Sequence, residues 1–203
     1  MFKYPEHFTY PEDTRIWFND HIENWEHHLQ SLIGKPNVCL EIGAYHGASS
    51  TFIREMLCDQ EGSHLYIMDI NKSPYLESNI KPYDNITFMQ GESRDSFRNF
   101  SHNGETKEFL DFVYIDGSHM SLHVLEDAVN AFYCLKDGGV MIFDDYLGGL
   151  EQASHMQVKY GVDGFVMGMH HHLMSLFSGY QLGLVKKTAF TDGELKENYY
   201  NGI

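Results

Sequence analysis

Two apolar segments that each end in acid constrain this chain more than any other feature. FVYID stops at Asp116 and VMIFDD at Asp144 and Asp145, with a helix-length stretch and a Lys-Asp-Gly-Gly turn between them. A strand–helix–strand unit runs its two strands parallel, so both acidic ends emerge at one edge of the sheet. In an open α/β sheet that edge, beyond the carboxyl ends of the strands, is where ligands bind. Three carboxylates there, with His119 one turn past the first, suit a hard cation and a base. The pattern predicts an enzyme rather than a scaffold.

The rest of the chain repeats the alternation. VCLEI (38–42), LYIMDI (65–70) and ITFMQG (86–91) read as strands, each followed by a turn and a helical stretch. Strands alternating with helices predict an α/β fold, a mostly parallel sheet with helices on both faces. SLFSG and YQLGLVKK are close enough to pair antiparallel at the end. Ile16, Trp17, Ile22, Trp25, Leu29 and Leu32 predict a helix over 14–33, its tryptophans packed in the core. Residues 151–172 read as one or two helices broken near Gly161. The expected organisation is one domain, 1–203: an arm and leader helix (1–35), a Rossmann-like core (36–190) and a tail (191–203).

A net charge of −15 argues against nucleic acid as a partner, because phosphate contact needs clustered Lys and Arg. Cys39, Cys58 and Cys134, scattered and odd in number, read as buried thiols of a reducing compartment, and the cytoplasm is expected. No run approaches the roughly 20 apolar residues that span a bilayer, so no membrane association is expected. Aromatics in residues 1–25 make a homodimer an expectation.

Three further motifs line up with the strand ends. Glu41-Ile-Gly-Ala-Tyr-His-Gly-Ala-Ser49 follows a strand and opens a helix. Gly43 permits a tight turn, Gly47 permits close backbone approach, and the helix start favours an anionic group. Its G-x-x-x-G spacing is not the dinucleotide G-x-G-x-x-G, and Glu41 would repel a pyrophosphate, which disfavours a nicotinamide oxidoreductase. A ligand carrying both an ammonium and a carboxylate fits better: Glu41 for the first, the helix start and Ser49 for the second. A purely structural turn fits as well. Asp69 can accept both hydroxyls of a ribose, or cap a helix. Gly91-Glu92-Ser93 could meet an adenine, and is also ordinary turn chemistry. The run His170-His171-His172 is set aside as a metal site, because consecutive helical residues point about 100° apart.

The order LEIGAYHGASS, IMDI, MQGES, DFVYIDGSH, GGVMIFDDY resembles a class I S-adenosylmethionine-dependent methyltransferase over about residues 38–187. IDGSH with IFDDY is similar both to the small LEIG/DG.H methyltransferases and to the cation-dependent O-methyltransferases of the catechol, caffeoyl-CoA and macrolide-sugar types. The resemblance implies a Rossmann-like methyltransferase fold, with a seven-stranded, mostly parallel sheet and an antiparallel last strand. It implies S-adenosylmethionine held by Glu41, Gly43, Ala44, Tyr45, Gly47, Ser49, Asp69, Gly91, Glu92, Ser93 and Asp116. It implies Mg2+ or Mn2+ on Asp116, Asp144 and Asp145, with His119 as the base acting on a small-molecule acceptor, a hydroxylated compound or a sugar. A helix cap for Asp144-Asp145 and a packing role for His119 stand beside these roles. So do a metal-independent N- or C-methyltransferase and a non-catalytic S-adenosylmethionine-binding module.

Overall fold

The structure is a computed structural model and describes residues 1–188; the expected tail and the last two residues of the expected core lie outside the described residues. In chain order the main elements are α1 (Ile22–His28), β1 (Val38–Ile42), α2 (Ala48–Phe52), β2 (His64–Asp69), α3 (Pro74–Ile80), β3 (Ile86–Gln90), α4 (Ser93–Ser96) and β4 (Leu110–Ile115). They continue with α5 (Ser121–Cys134), β5 (Leu135–Phe143), α6 (Val158–Met169), β6 (Leu173–Ser178) and β7 (Leu182–Lys186). One seven-stranded sheet has the order β3-β2-β1-β4-β5-β7-β6. β1 to β5 pair in parallel, while β7 runs antiparallel against both β5 and β6. The order reverses between β1 and β4, which opens a crevice at their carboxyl ends.

Both sheet faces are covered, and alternate strand residues feed the two cores. Leu40, Ile42, Val113, Ile115, Met141 and Phe143 pack on one side with Val124, Ala128 and Phe132 of α5 and Val162 and Phe165 of α6. Cys39, Leu65, Ile67, Phe112, Tyr114, Val140 and Ile142 pack on the other with Trp25 and Leu29, Phe52 and Ile53, and Leu76 and Ile80. All three cysteines are free and buried. No helix among the described residues is long and apolar enough to cross a membrane.

Two local expectations are corrected. The leader is not one helix over 14–33: a 3-10 turn at Trp17–Asp20 precedes the seven-residue α1. That turn buries Phe18 against Trp25, ring centroids 4.9 Å apart, and leaves Trp17 62% exposed at the cleft mouth. The buried stripe is Phe18–Trp25–Leu29 at helical spacing of seven and four. The expected break at Gly161 is also absent, since α6 runs through it. A Cβ there would stand 2.3 Å from the Ser121 carbonyl oxygen, so this glycine lets α6 lie directly on α5.

The arm spends its aromatics on the chain itself. Phe2 packs on Phe52, Tyr4 stacks on Phe8 at 4.0 Å, and Thr9 exchanges hydrogen bonds with Asn79. Of the aromatics in residues 1–25 on which a homodimer was expected, Phe2, Phe18 and Trp25 are thus buried within the chain, while Trp17 stays exposed.

Candidate active site

The strand ends and the turns after them surround a cleft of about 1280 Å³. A single drug-sized ligand needs roughly 300–1000 Å³, so cofactor and acceptor can share this space. Along one side run Gly43, Ala44, Tyr45, Asp69, Gly91, Glu92 and Ser93; along the other run Asp116, His119, Asp144 and Asp145.

The β1 turn is built around Asp69. Its Oδ2 accepts from the Ala44 and Tyr45 N–H groups at 2.7 and 3.2 Å, and its Oδ1 from Asn71 N–H at 2.8 Å. A carboxylate offers about four acceptor positions, so one is left for a ligand hydroxyl, and more if the turn yields. Gly43, at φ +85°, is required twice: a Cβ would also stand 2.2 Å from the Asp116 carbonyl oxygen. Gly91, at φ +137°, borders open space beside the cleft.

Four residues expected at the cofactor, Glu41, Gly47, Ser49 and Ser93, make contacts within the protein instead. Glu41 is fully buried, and both its oxygens accept hydroxyls, from Ser49 and from Ser50. Burial pushes its pKa up to about 7 in spite of those hydroxyls. The Ser49 hydroxyl is therefore committed to Glu41 rather than turned to a ligand carboxylate. Gly47 caps α2 at φ +86°, and its Cα faces Leu76 of α3, not the cleft. Ser93 donates to Asp127 Oδ1 at 2.5 Å, and burial raises the Asp127 pKa to about 6.

On the reacting side the geometry brings Asp116, His119 and Asp145 together, with one ligand atom from each lying within 4.8 Å of the others. Asp144 adjoins them but is held from behind. Gln181 Nε2 donates to its Oδ1 at 2.6 Å, and His21 Nε2 lies 3.7 Å from the same oxygen. Burial, Asp144 and Asp145 hold the Asp116 pKa well above the carboxylate range. Burial raises Asp144 also, against the Gln181 hydrogen bond. Carboxylates crowded until they resist ionisation are a donor set that a divalent cation relieves, so these residues fit Mg2+ or Mn2+. His119 Nε2 pairs with Asp145 Oδ2 at 3.0 Å. That bond raises the imidazole pKa and lowers that of Asp145, which also accepts from the Tyr180 hydroxyl.

Trp17, His21, His123, Asp127, Tyr180 and Gln181 complete the site or its support and were not anticipated there. They come from the leader, a helix interior and the last hairpin, where no strand-end pattern marks them. The His170–His172 run forms a short 3-10 turn outside the cleft.

A sheet ordered β3-β2-β1-β4-β5-β7-β6, with an acid-lined cleft at its switch point, is the Rossmann-like fold of the class I S-adenosylmethionine-dependent methyltransferases. A family model described as a methyltransferase domain matches residues 40–146. The chain belongs to that family. No curated protein matches it. Among solved structures it is similar to the MycE methyltransferase of mycinamycin biosynthesis, in complex with Mg, S-adenosylhomocysteine and mycinamycin VI. The TM-score is 0.60 and the identity 17%, over 84% of this chain and 50% of MycE. It thus spans about half the length of that protein. The O-methyltransferase TomG of Streptomyces achromogenes, in complex with S-adenosylmethionine, matches at TM-score 0.63 and 16% identity, over 82% of this chain and 80% of TomG. An O-methyltransferase of Bacillus cereus bound to S-adenosylhomocysteine matches at TM-score 0.63 and 17% identity, over 90% and 84% of the two chains.

Proposed function

We propose that the chain is a cation-assisted O-methyltransferase acting on a small hydroxylated acceptor, with His119 as general base. The observation that carries this reading is the convergence of Asp116, His119 and Asp145 within 4.8 Å. The Mg bound in MycE, and the O-methyltransferases among the similar structures, support it.

In this reading Asp69 accepts the ribose hydroxyls, and Gly91, Glu92 and Ser93 border the adenine. Gly43, Ala44 and Tyr45 bring backbone to the amino-acid end, near Asp116. Glu41, Gly47 and Ser49 support the turn from beneath. Asp116, Asp144 and Asp145 would hold the cation. A bound cation supplies a lower pKa to the acceptor hydroxyl, and the sulfonium supplies the methyl group. His119 takes the hydroxyl proton onto its imidazole, and Asp145 stabilises the imidazolium that results. The oxygen then displaces S-adenosylhomocysteine in line, the C–O bond forming as the C–S bond breaks.

Trp17, His21 and Tyr180 border the acceptor side. Arg94, the one Arg or Lys side chain among the described residues lining the cleft, is paired with Glu92 at 3.0 Å. Eight acids line the same space: Asp20, Asp69, Glu92, Asp116, Glu126, Asp127, Asp144 and Asp145. An acceptor bearing phosphate or carboxylate would meet that field unpaired, so the acceptor is a neutral or amine-bearing alcohol, phenol or sugar. The buried free thiols suit the cytoplasm.

The test is S-adenosylhomocysteine release over a panel of catechols and amino-sugar glycosides, with Mg2+ or with excess chelator. Turnover that stops in chelator and returns with Mg2+ is expected. Full turnover in chelator would replace this reading with metal-independent methylation, for which the His119–Asp145 pair could still act as a base.

A further inference from the structure

We infer that Gln181 is a positioning residue for Asp116 and Asp144, and that Trp25 sets its direction. The inference rests on the reading of those acids as cation ligands. Gln181 stands just before β7, is 3% exposed, and takes no part in the cleft surface. Its Oε1 accepts from the Trp25 indole Nε1–H at 2.7 Å. An indole nitrogen only donates, so this bond decides which end of the amide faces Trp25.

The Nε2 end is thereby turned to the acids. It donates to Asp144 Oδ1 at 2.6 Å and lies 3.4 Å from the Tyr114 hydroxyl, which donates onward to Asp116 Oδ2 at 3.2 Å. One amide thus reaches both carboxylates, the first directly and the second through a phenol. Trp25 is 0% exposed and Tyr114 1%, so the relay is sealed from solvent. A flipped amide would set Oε1 against the Asp144 carboxylate and leave the indole N–H without an acceptor, both costly when buried. With Oδ1 held by Gln181, the direction in which Asp144 presents its carboxylate beside Asp116 is fixed. An N-terminal helix and the last hairpin therefore jointly fix acids that end the fourth and fifth strands.

The test measures Mn2+ binding by electron paramagnetic resonance and S-adenosylhomocysteine binding by calorimetry, on the full chain. Gln181→Met removes the donor to Asp144 and adds no group that could be protonated in its place. The double variant Trp25→Phe, Gln181→Met removes both polar partners, so neither is left buried and unpaired. A merely structural role would be repaired in the double variant; a positioning role would not. Both are expected to lose Mn2+ affinity by about 10–100-fold, the usual effect of removing the partner behind a metal ligand. S-adenosylhomocysteine affinity should stay unchanged, which also reports that the fold is intact. If one of the two variants loses S-adenosylhomocysteine as well, the other decides alone. Wild-type Mn2+ affinity in a variant that still binds S-adenosylhomocysteine would overturn the inference. Absence of Mn2+ binding by wild-type protein that binds S-adenosylhomocysteine would overturn the cation reading itself, and the inference with it.

Discussion

His119 Nε2 and Asp145 Oδ2 stand 3.0 Å apart, which makes the candidate base and the acid that orients it one hydrogen-bonded pair across two neighbouring strand ends. Asp145 is placed for this by backbone in the left-handed region, φ +51°, and by the Tyr180 hydroxyl on its other oxygen.

The pair predicts two separable effects. His119→Ala should lower turnover by roughly 10²–10⁴-fold, the usual worth of a positioned base, with S-adenosylhomocysteine affinity unchanged. Asp145→Asn removes the carboxylate that raises the imidazole pKa, so in cation-free protein the His119 midpoint should fall towards its ordinary value. The ring Cε1–H resonance followed against pH reads this directly. An unmoved midpoint would show that Asp145 is not the group that governs His119.

Asp69 organises the β1 turn and faces the cofactor side, so its loss acts on binding. Asp69→Ala should weaken S-adenosylhomocysteine binding by about 1–3 kcal/mol, the range for charge-assisted hydrogen bonds lost from a site. Calorimetry gives the number. Wild-type affinity in the variant would remove Asp69 from the ribose site.

The strand ends were legible because each acid closes an apolar run: Asp69, Asp116, Asp144 and Asp145 all line the cleft. What the hydroxyls do was not legible. Ser49 and Ser93 stand at strand-to-helix turns, but their partners are the buried acids Glu41 and Asp127, a pairing only tertiary packing creates. The leader misled for a related reason. Trp17 and Trp25 share a helical period, yet a 3-10 turn hands the inward position to Phe18. Gln181 had no signal at all, since its partners lie 156 and 37 residues away in sequence.

The seating of α6 on α5 is tested by three glycines of one helix. A Cβ at Gly161 would meet the Ser121 carbonyl oxygen at 2.3 Å and Val124 Cβ at 3.0 Å, whereas nothing lies within 4 Å at Gly164 or Gly168. Helix propensity alone favours alanine by up to about 1 kcal/mol at each. At Gly161 overpacking opposes it by about 1–3 kcal/mol, so Gly161→Ala should be net destabilising. Gly164→Ala and Gly168→Ala should be neutral or stabilising. Urea unfolding of the three variants ranks them, and equal midpoints would refute the close contact.

Glu41 gives stability a pH dependence of its own. Its folded pKa is raised from 4.5 to about 7, because burial outweighs the Ser49 and Ser50 hydroxyls. Between those values the native state holds a proton that the unfolded chain has released. Stability therefore falls as pH rises through this window, by on the order of 3 kcal/mol for a shift of this size. Below the window both states are protonated and the effect vanishes; above it the full cost is present. Glu41→Gln cannot titrate, so its stability minus that of wild type should climb across the window and then level off. Urea unfolding of both proteins at a series of pH values measures that difference, in which the other titrating groups largely cancel. A difference curve that stays level from about pH 5 to pH 8 would mean that Glu41 is ionised in the folded protein throughout, and that the serine hydroxyls outweigh its burial.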